Sequence, residues 1–464
     1  MSLKYNVERV SDNHFVLPKV GTMKCHVDAF LNQNLYEKTE EELWNQAYES
    51  ASYQGALGMY LMPDCHLGYS IPVGGVLVTD GTIVQAGSGY DISCGVIYAK
   101  TDLSISEIVD FDIRQKWVEA VDKRIATGYT SKISKIAARE KVKTEDILRY
   151  GAKSLGIPED KCERQYIPIP DSINLKKISK AYEKCDSQLG SVGGGNHFIE
   201  LQAGDDGNIW IMIHCGSRGY GWQTANHFFY AGAELRNLPS NRREQSWLSA
   251  DEALGKEYWA YHNTAANYAI ANRHLIVKGI REATQEVLKT DIHIFYEISH
   301  NLVQEEILVL PDGSTKKGFV HRKGATRAFP ANHPSLKGTK WEDTGHPVLI
   351  PGSMLDGAAI LYPQDSYKSG CSVNHGSGRL MARGQAKREL ETLQADIDSE
   401  MKNIERTICG IKIKGIATNT EKTPLDECGH VYKSLDEVLS VLEQEGIAKV
   451  DTRLWPIANI KGCD

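Results

Sequence analysis

The stretch LGYSIPVGGVLVTDGTIVQAGSGYDISCGVIYAK, residues 67–100, decides how this chain is read. Short apolar runs alternate here with Gly pairs and Gly-flanked polar residues, the pattern of short strands joined by tight turns. Outward from it, residues 40–53 (EEELWNQAYESASY) predict a short helix, and residues 104–122 read as helical. Residues 130–190 are polar, charged and weakly patterned, which predicts helices and loops peripheral to the core. Strands return at 208–214 (NIWIMIH), 291–298 (DIHIFYEI) and 317–321 (KGFVH). Residues 249–288, rich in Ala, Glu and Lys, predict one long or two shorter helices. Residues 380–407 predict a strong amphipathic helix, because Leu390, Leu393, Ile397, Met401 and Ile404 recur at three- and four-residue steps. Strands and helices mix without the regular alternation of a doubly wound fold. The expected class is therefore α+β: a single large domain over 1–464, with mixed or antiparallel sheets flanked by helices around a central metal-containing cleft. No repeat, low-complexity tract or Pro/Ser linker divides it.

Bulk properties exclude several classes. At 464 residues and 41% hydrophobic content the chain can bury a large core. Its formal net charge of -7 is unlike that of a protein that coats nucleic acid, so RNA would have to be met by a local basic patch. The ten cysteines form no CxxC pair and no disulfide framework. The start, MSLKYNVERVSDNHF, lacks the apolar run of a signal peptide, and no stretch of about 18 apolar residues could span a membrane. A reducing cytoplasm, with thiols free to bind metal, is the expected setting.

The chemistry is written in Gly-flanked polar motifs: MPDCHLG (62–68), DISCG (91–95), GGGNHFIE (193–200), HCGSRGYG (214–221), SHN (299–301), HRKGATRAFP (321–330), LIPGSM (349–354) and NHGSGR (374–379). Glycine beside a polar side chain lets the backbone turn tightly and approach a ligand, and many of these motifs follow a predicted strand, where catalytic loops are held by a rigid scaffold. Asp91 and Cys94, with His197, His214, His300 and His375 in similar strand-end settings, offer carboxylate, thiolate and imidazole, a donor set that suits a transition metal. Arg218, Arg322, Lys323, Arg327, Arg379 and Arg383 lie in or beside the motifs, and guanidinium groups match phosphate oxygens. The phosphate loop GxxxxGK[ST] is missing, and so is the KxDG motif of lysine-nucleotidylating ligases. A nucleotidyl carrier here would have to be another residue. Histidine qualifies, since its neutral nitrogen attacks phosphorus without prior deprotonation.

Together these motifs closely resemble the RtcB family of RNA ligases, from MPDCHLG to the C-terminal WPIANIKG ending at Gly462; HRKGATRAFP and LIPGSM match almost letter for letter. The resemblance implies a GTP-dependent ligase that joins RNA 2′,3′-cyclic phosphate or 3′-phosphate ends to 5′-OH ends, with GMP carried on His375 of HGSGR. It implies two Mn²⁺ ions sharing Cys94, one also held by Asp91 and His197, the other by His214 and His300. It assigns Asn196, Ser353 and Arg379 to the nucleotide, Phe198 and Glu200 to guanine, Tyr432 to stacking and Lys461 to hydrogen bonding with the base. Arg218, Lys323 and Arg383 fall at positions expected to bind phosphates. RNA and GTP are the implied partners, with room for an accessory activating protein and no membrane. The chain departs from the family pattern in four places: Ala358 stands where a small hydroxyl residue is usual near guanine, DISCG replaces DxGCG, HGSGR replaces HGAGR, and GSGYD replaces a more apolar GVD. Two rival readings share the metal residues: a metal-dependent RNA-end phosphohydrolase or 3′-phosphate guanylyl-capping enzyme that does not join strands, and a non-catalytic RNA- or ribosome-associated protein.

Overall fold

The computed structural model describes residues 5–128, 135–310 and 313–462, and within it two large sheets carry most of the glycine-flanked motifs. The first has eight strands. Its main path runs Ile292–Ser299, Gly95–Ser104, Asn208–Cys215, Phe198–Gly204, Ala448–Lys461, Ala358–Pro363, Val348–Pro351, antiparallel at every step, and Ala417–Thr418 adds a parallel edge to Ala448–Lys461. The second has seven strands: Glu8–Arg9, His14–Leu17, Val27–Phe30, Ala56–Tyr69, Ile71–Thr79, Thr315–Lys323 and Asn301–Val309. One of its pairs, Val27–Phe30 with Ala56–Tyr69, is parallel. The expected α+β class with mixed sheets and flanking helices is what the chain forms. The Gly-punctuated stretch 67–100 supplies strands to both sheets, with Asp91 and Cys94 in the loop between them.

One helix organises the larger core. Residues 249–288 form a single helix, Ala253–Leu288, of 36 residues, and every position from Ala260 to Val277 is buried. A helix buried all round must satisfy its polar side chains internally. Asn267 accepts from the Ile167 amide (2.7 Å) and donates to the carbonyls of Leu148 (3.0 Å) and Ile167 (2.9 Å). Asn272 accepts from the Gly190 amide at 2.6 Å. Arg273, fully buried, donates Nε to Glu297 Oε1 (2.7 Å), Nη1 to the carbonyls of Ser93 (2.6 Å) and Cys215 (2.9 Å), and Nη2 to Ser299 Oγ (3.2 Å). One guanidinium thus ties together the ends of three strands.

Two expectations need correction. Residues 380–407 do not form one helix but a short helix Arg383–Glu389, a 3-10 turn and a helix Gln394–Asn403, followed by a strand from Glu405. The apolar spacing serves two separate clusters instead of one continuous face: Leu390 and Ile397 pack with Cys428 and Val431, Met401 with Met354 and Ile416, and Leu393 stays 45% exposed at the break. Residues 135–190 do hold short helices, but these are not peripheral: Ile147, Leu148, Ala181 and Cys185 belong to the main core. Residues 130–134 of that expectation lie outside the described residues. Among the described residues no helix is long and apolar enough to cross a membrane.

Replacing Arg273 by Met leaves the Glu297 carboxylate buried without its cation, a loss of about 3–5 kcal/mol. The expected result is a clearly lower urea midpoint for Arg273→Met, partly restored when Glu297→Gln is added; an unchanged midpoint in the single variant would show that the pair does not hold the strands.

Candidate active site

Strand register gathers the candidate ligands. Gly95 pairs with Ser299 on one side and with Cys215 on the other, while Phe198 pairs with both His214 and Lys461. Cys94, His300, His214, His197 and Lys461 therefore come to the same end of the eight-stranded sheet, on strands about 4.8 Å apart. The His300 amide donates to the Cys94 carbonyl at 2.8 Å, closing two of these loops onto each other. Gly216 permits the approach of the Asp91 loop: a Cβ there would stand 2.3 Å from both Asp91 carboxylate oxygens.

Cys94 stands at the junction of two donor groups, Asp91–Cys94–His197 and Cys94–His214–His300, the donor atoms of each lying within 4.8 Å of one another. Its Sγ is 3.3 Å from His197 Nε2 and 3.2 Å from His214 Nε2, and the Nε2 atoms of His214 and His300 are 3.0 Å apart. His197 Nε2 also lies 3.0 Å from Asp91 Oδ2. His214 Nδ1 is fixed by the Asn196 carbonyl at 2.9 Å, which puts its proton there and leaves Nε2 as a lone pair facing Cys94 and His300. His300 Nδ1 is buried and has no hydrogen-bond partner. Sulfur, imidazole and carboxylate atoms converging in this way fit a soft-to-borderline divalent metal.

In the bare protein part of this donor set is already in its ligating form. Burial, then neighbouring imidazoles, push His214 and His300 well below their ordinary range, so both rings are neutral, the form that ligates. Burial disfavours charge on His197 too, but the Cys94 and Cys215 sulfurs and Asp91 outweigh it and hold the imidazole well above its usual value. Burial works against the Asp91 carboxylate as well, yet the His197 hydrogen bond and charge and the Arg218 guanidinium bring it down to about 2. Burial and then Asp91 push the Cys94 thiol up to about 11; a bound cation reverses this, since thiolate is the ligating form. A third convergence, Cys162, His274 and Glu297, has its carboxylate ion-paired with Arg273.

His375 faces the same space from the other side. Its ring centroid is 5.1 Å from that of His300, and it follows the strand Ser372–Asn374. Asp64, fully buried in the strand Ala56–Tyr69, receives His375 Nδ1 at 2.6 Å and the His375 amide at 3.2 Å. That anchor leaves Nε2 as the reactive nitrogen. Gly378, at φ +76°, passes so close that a Cβ would lie 2.2 Å from the Asp64 carbonyl oxygen. Sequence reading missed Asp64, although it sits in MPDCHLG, a motif already singled out.

Asp91, His214, His300 and His375 line one cavity of about 580 Å³, together with Asn196, Phe198, Glu200, Lys323, Ser353, Arg379, Arg383, Tyr432 and Lys461; Cys94, His197 and Asp64 are buried and are not among its lining residues. Glu427 also lines it and went unnoticed in the sequence, being a lone acid in LDECGH. It is the anchor of the basic wall: Arg379, Arg383 and Lys461 each reach its carboxylate at 3.3 Å, and the Tyr432 hydroxyl donates to it at 2.5 Å. Burial would raise the Glu427 carboxyl, but Lys461 and Arg383 chiefly bring it below the usual range. Glu200 accepts from Asn459 (2.8 Å) and Gln202 (2.7 Å), and burial raises its carboxyl. Lys461 Nζ stands 5.6 Å from the Phe198 ring. Lys323 Nζ donates to the carbonyls of Tyr69 (2.5 Å) and Ile71 (2.8 Å), and burial pushes its ammonium down to about 7. Arg218, Arg322 and Arg327 are not among the cavity-lining residues. Arg218 donates to the Gly128 carbonyl at 2.7 Å, Arg322 pairs with Glu306 at 2.5 Å, and Arg327 with Glu163 at 3.2 Å. Ala358 packs in the core with Phe198, Leu349 and Leu454.

The family model described as tRNA-splicing ligase RtcB matches residues 46–462. Relatives called tRNA-splicing ligase RtcB include one from Thermococcus kodakarensis, 32% identical over 94% of this chain and 93% of its own length, and one from Archaeoglobus fulgidus, 30% identical over 100% of both. A relative from Mycobacterium bovis called RNA-splicing ligase RtcB is 31% identical over 87% of this chain and 96% of its own length. RNA ligase activity is consistent with these matches and with a cavity that combines a carboxylate-anchored histidine, a metal-type donor set and a basic wall. On the extent of the match and the order of its motifs, the chain belongs to the RtcB family of tRNA-splicing ligases.

Proposed function

We propose that this protein seals RNA, joining a 2′,3′-cyclic phosphate or 3′-phosphate end to a 5′-OH end with GTP and Mn²⁺, and that His375 carries the GMP. The observation that supports this best is the pairing across one cavity of the Asp64-anchored His375 ring with two donor groups that share Cys94. Asp91, Cys94 and His197 would hold one Mn²⁺, and Cys94, His214 and His300 the second. Bound, the two cations supply neutralisation of charge on phosphate oxygens during in-line displacement.

The residues of the chain do the rest. A 3′-phosphate is a poor electrophile, because oxide or water would have to leave. Asp64 holds the proton on His375 Nδ1, so the Nε2 lone pair attacks the α-phosphorus of GTP; a P–N bond forms and pyrophosphate departs. Asp64 then offsets the positive charge on the phosphorylated ring. Once a cyclic end has been opened to the 3′-phosphate, that phosphate attacks the same phosphorus, breaks the P–N bond and takes the GMP. The 5′-OH finally attacks the activated RNA phosphate; the new P–O bond forms, the P–O bond to GMP breaks, and GMP leaves with the displaced oxygen while the hydroxyl proton passes to solvent. Phe198, Glu200, Tyr432 and Lys461 form the candidate guanine cradle, Asn196 and Ser353 lie beside it, and Arg379, Arg383 and Lys323 serve phosphate oxygens, with Glu427 keeping the two guanidinium groups in place.

Mass spectrometry after incubation with GTP and Mn²⁺ tests this directly: a GMP adduct is expected on His375, and none in His375→Ala. An adduct on that variant, or joined RNA from it, would reject the assignment. Asp64→Asn keeps the shape but misplaces the ring proton, so single-turnover GMP transfer should slow by about a hundredfold or more, by analogy with orienting carboxylates in histidine catalysis; a rate within twofold of the parent would remove Asp64 from the mechanism. Elemental analysis of Cys94→Ala should show both cations lost together, since one sulfur serves two groups. Loss of a single equivalent would contradict sharing.

A further inference from the structure

Beside the cavity runs a row of aromatic rings that the scheme above leaves unused. Tyr69 and Tyr90 line the cavity wall. Tyr69 meets Tyr90 edge-on with centroids 5.3 Å apart, and Tyr90 stacks against Trp222 at 5.5 Å and 19°. Tyr69, Trp222 and Tyr230 are 39%, 47% and 49% exposed, the last two on the outer face of the helix Arg218–Leu235. The row is built, not accidental. Buried Phe229 supports Tyr90 edge-on from beneath at 5.0 Å, and the Tyr90 hydroxyl is held by Glu244 (2.5 Å) and Arg243 (3.2 Å). Arg243 in turn lies 5.0 Å from the Tyr230 ring and 3.0 Å from Glu244, so the acid's charge is offset where a phosphate would pass. Lys323 Nζ sits 3.7 Å from the Tyr69 ring centroid, at the cavity end of the row.

We propose that the Tyr69–Tyr90–Trp222 ledge is a stacking subsite for the unpaired bases of a single-stranded RNA end, which it leads into the cavity. The proposal rests on the ligase reading for its direction of travel, but the binding itself is independent of sealing. Two features select RNA over another occupant. The ledge is continuous with the cavity in which phosphate chemistry is proposed. Cationic groups flank the ledge, Lys323 against the Tyr69 ring at the cavity end and Arg243 between the Tyr90 hydroxyl and the Tyr230 ring. The chain's net charge of -7 does not itself draw RNA, so the ledge acts through stacking on ring faces, which is tolerant of sequence.

The test is fluorescence anisotropy of a labelled oligoribonucleotide on the full chain, run beside GMP-adduct formation without RNA. Stacking is worth about five- to a hundredfold in affinity per base. Trp222→Ala should weaken RNA binding by about tenfold, leave the slope of affinity against salt unchanged and leave adduct formation on His375 untouched; Trp222→Phe should retain most of the affinity. Tyr90→Ala provides a second variant with the same expected loss of RNA affinity. A halogenated uridine near the RNA end should photo-crosslink to Trp222 or Tyr90. Unchanged RNA affinity in both alanine variants overturns the proposal, as does a loss confined to the salt-dependent component. If the parent protein forms no adduct and no joined RNA, the sealing scheme fails, while the anisotropy still decides the ledge.

Discussion

A single buried cation sets the geometry on which everything else rests. Arg273 reaches from the long helix to the carbonyls of Ser93 and Cys215 and the hydroxyl of Ser299, each one residue from a candidate metal ligand: Cys94, His214 and His300. Neighbouring strands alone would fix the spacing of these ends but not their depth. The guanidinium, planar and with its donors in a rigid fork, sets the depth, and Glu297 supplies the charge that makes its burial tolerable. The donor atoms are thereby pre-arranged before any ligand arrives, which lowers the reorganisation required for binding.

The cavity has a division of labour between its two sides. The eight-stranded sheet contributes metal-type groups at its strand ends together with Glu200 and Lys461, while the second sheet contributes Asp64, beside His375, and Lys323. Buried carboxylates govern both regions from behind: Asp64 orients a ring, and Glu427 gathers Arg379, Arg383 and Lys461. Each acid neutralises part of a dense positive field that would otherwise repel itself in a medium of low dielectric.

Much of this was legible in the sequence because glycine-flanked polar motifs at strand ends are a local signal. Cys94, His197, His214, His300 and His375 converge as the motif reading required. What stayed hidden depends on tertiary neighbours. Arg273 sits in an Ala-rich helix, where ANRH reads like a solvated face; only the surrounding sheet makes it a core residue. Glu427 carries no motif of its own. The strand Ala448–Lys461 is interrupted by Pro456 and charged at Lys449, Asp451 and Arg453, yet it occupies a central position in its sheet. Arg218, Arg322 and Arg327 share motifs with cavity residues, but alternation along a strand and a left-handed backbone at Arg218 turn them to other partners. The helix 380–407 fails for the opposite reason: a sound periodicity is divided between two small clusters.

The central placement of Ala448–Lys461 carries a consequence for how the molecule comes into being. This strand is inserted between Phe198–Gly204 and Ala358–Pro363, so two halves of the larger sheet stay apart until it arrives. In vectorial synthesis this strand follows both of the strands it joins, so the cavity acquires Lys461 only when it threads between them. Until that insertion the cavity lacks Lys461, and its basic wall lacks one of the three cations gathered by Glu427.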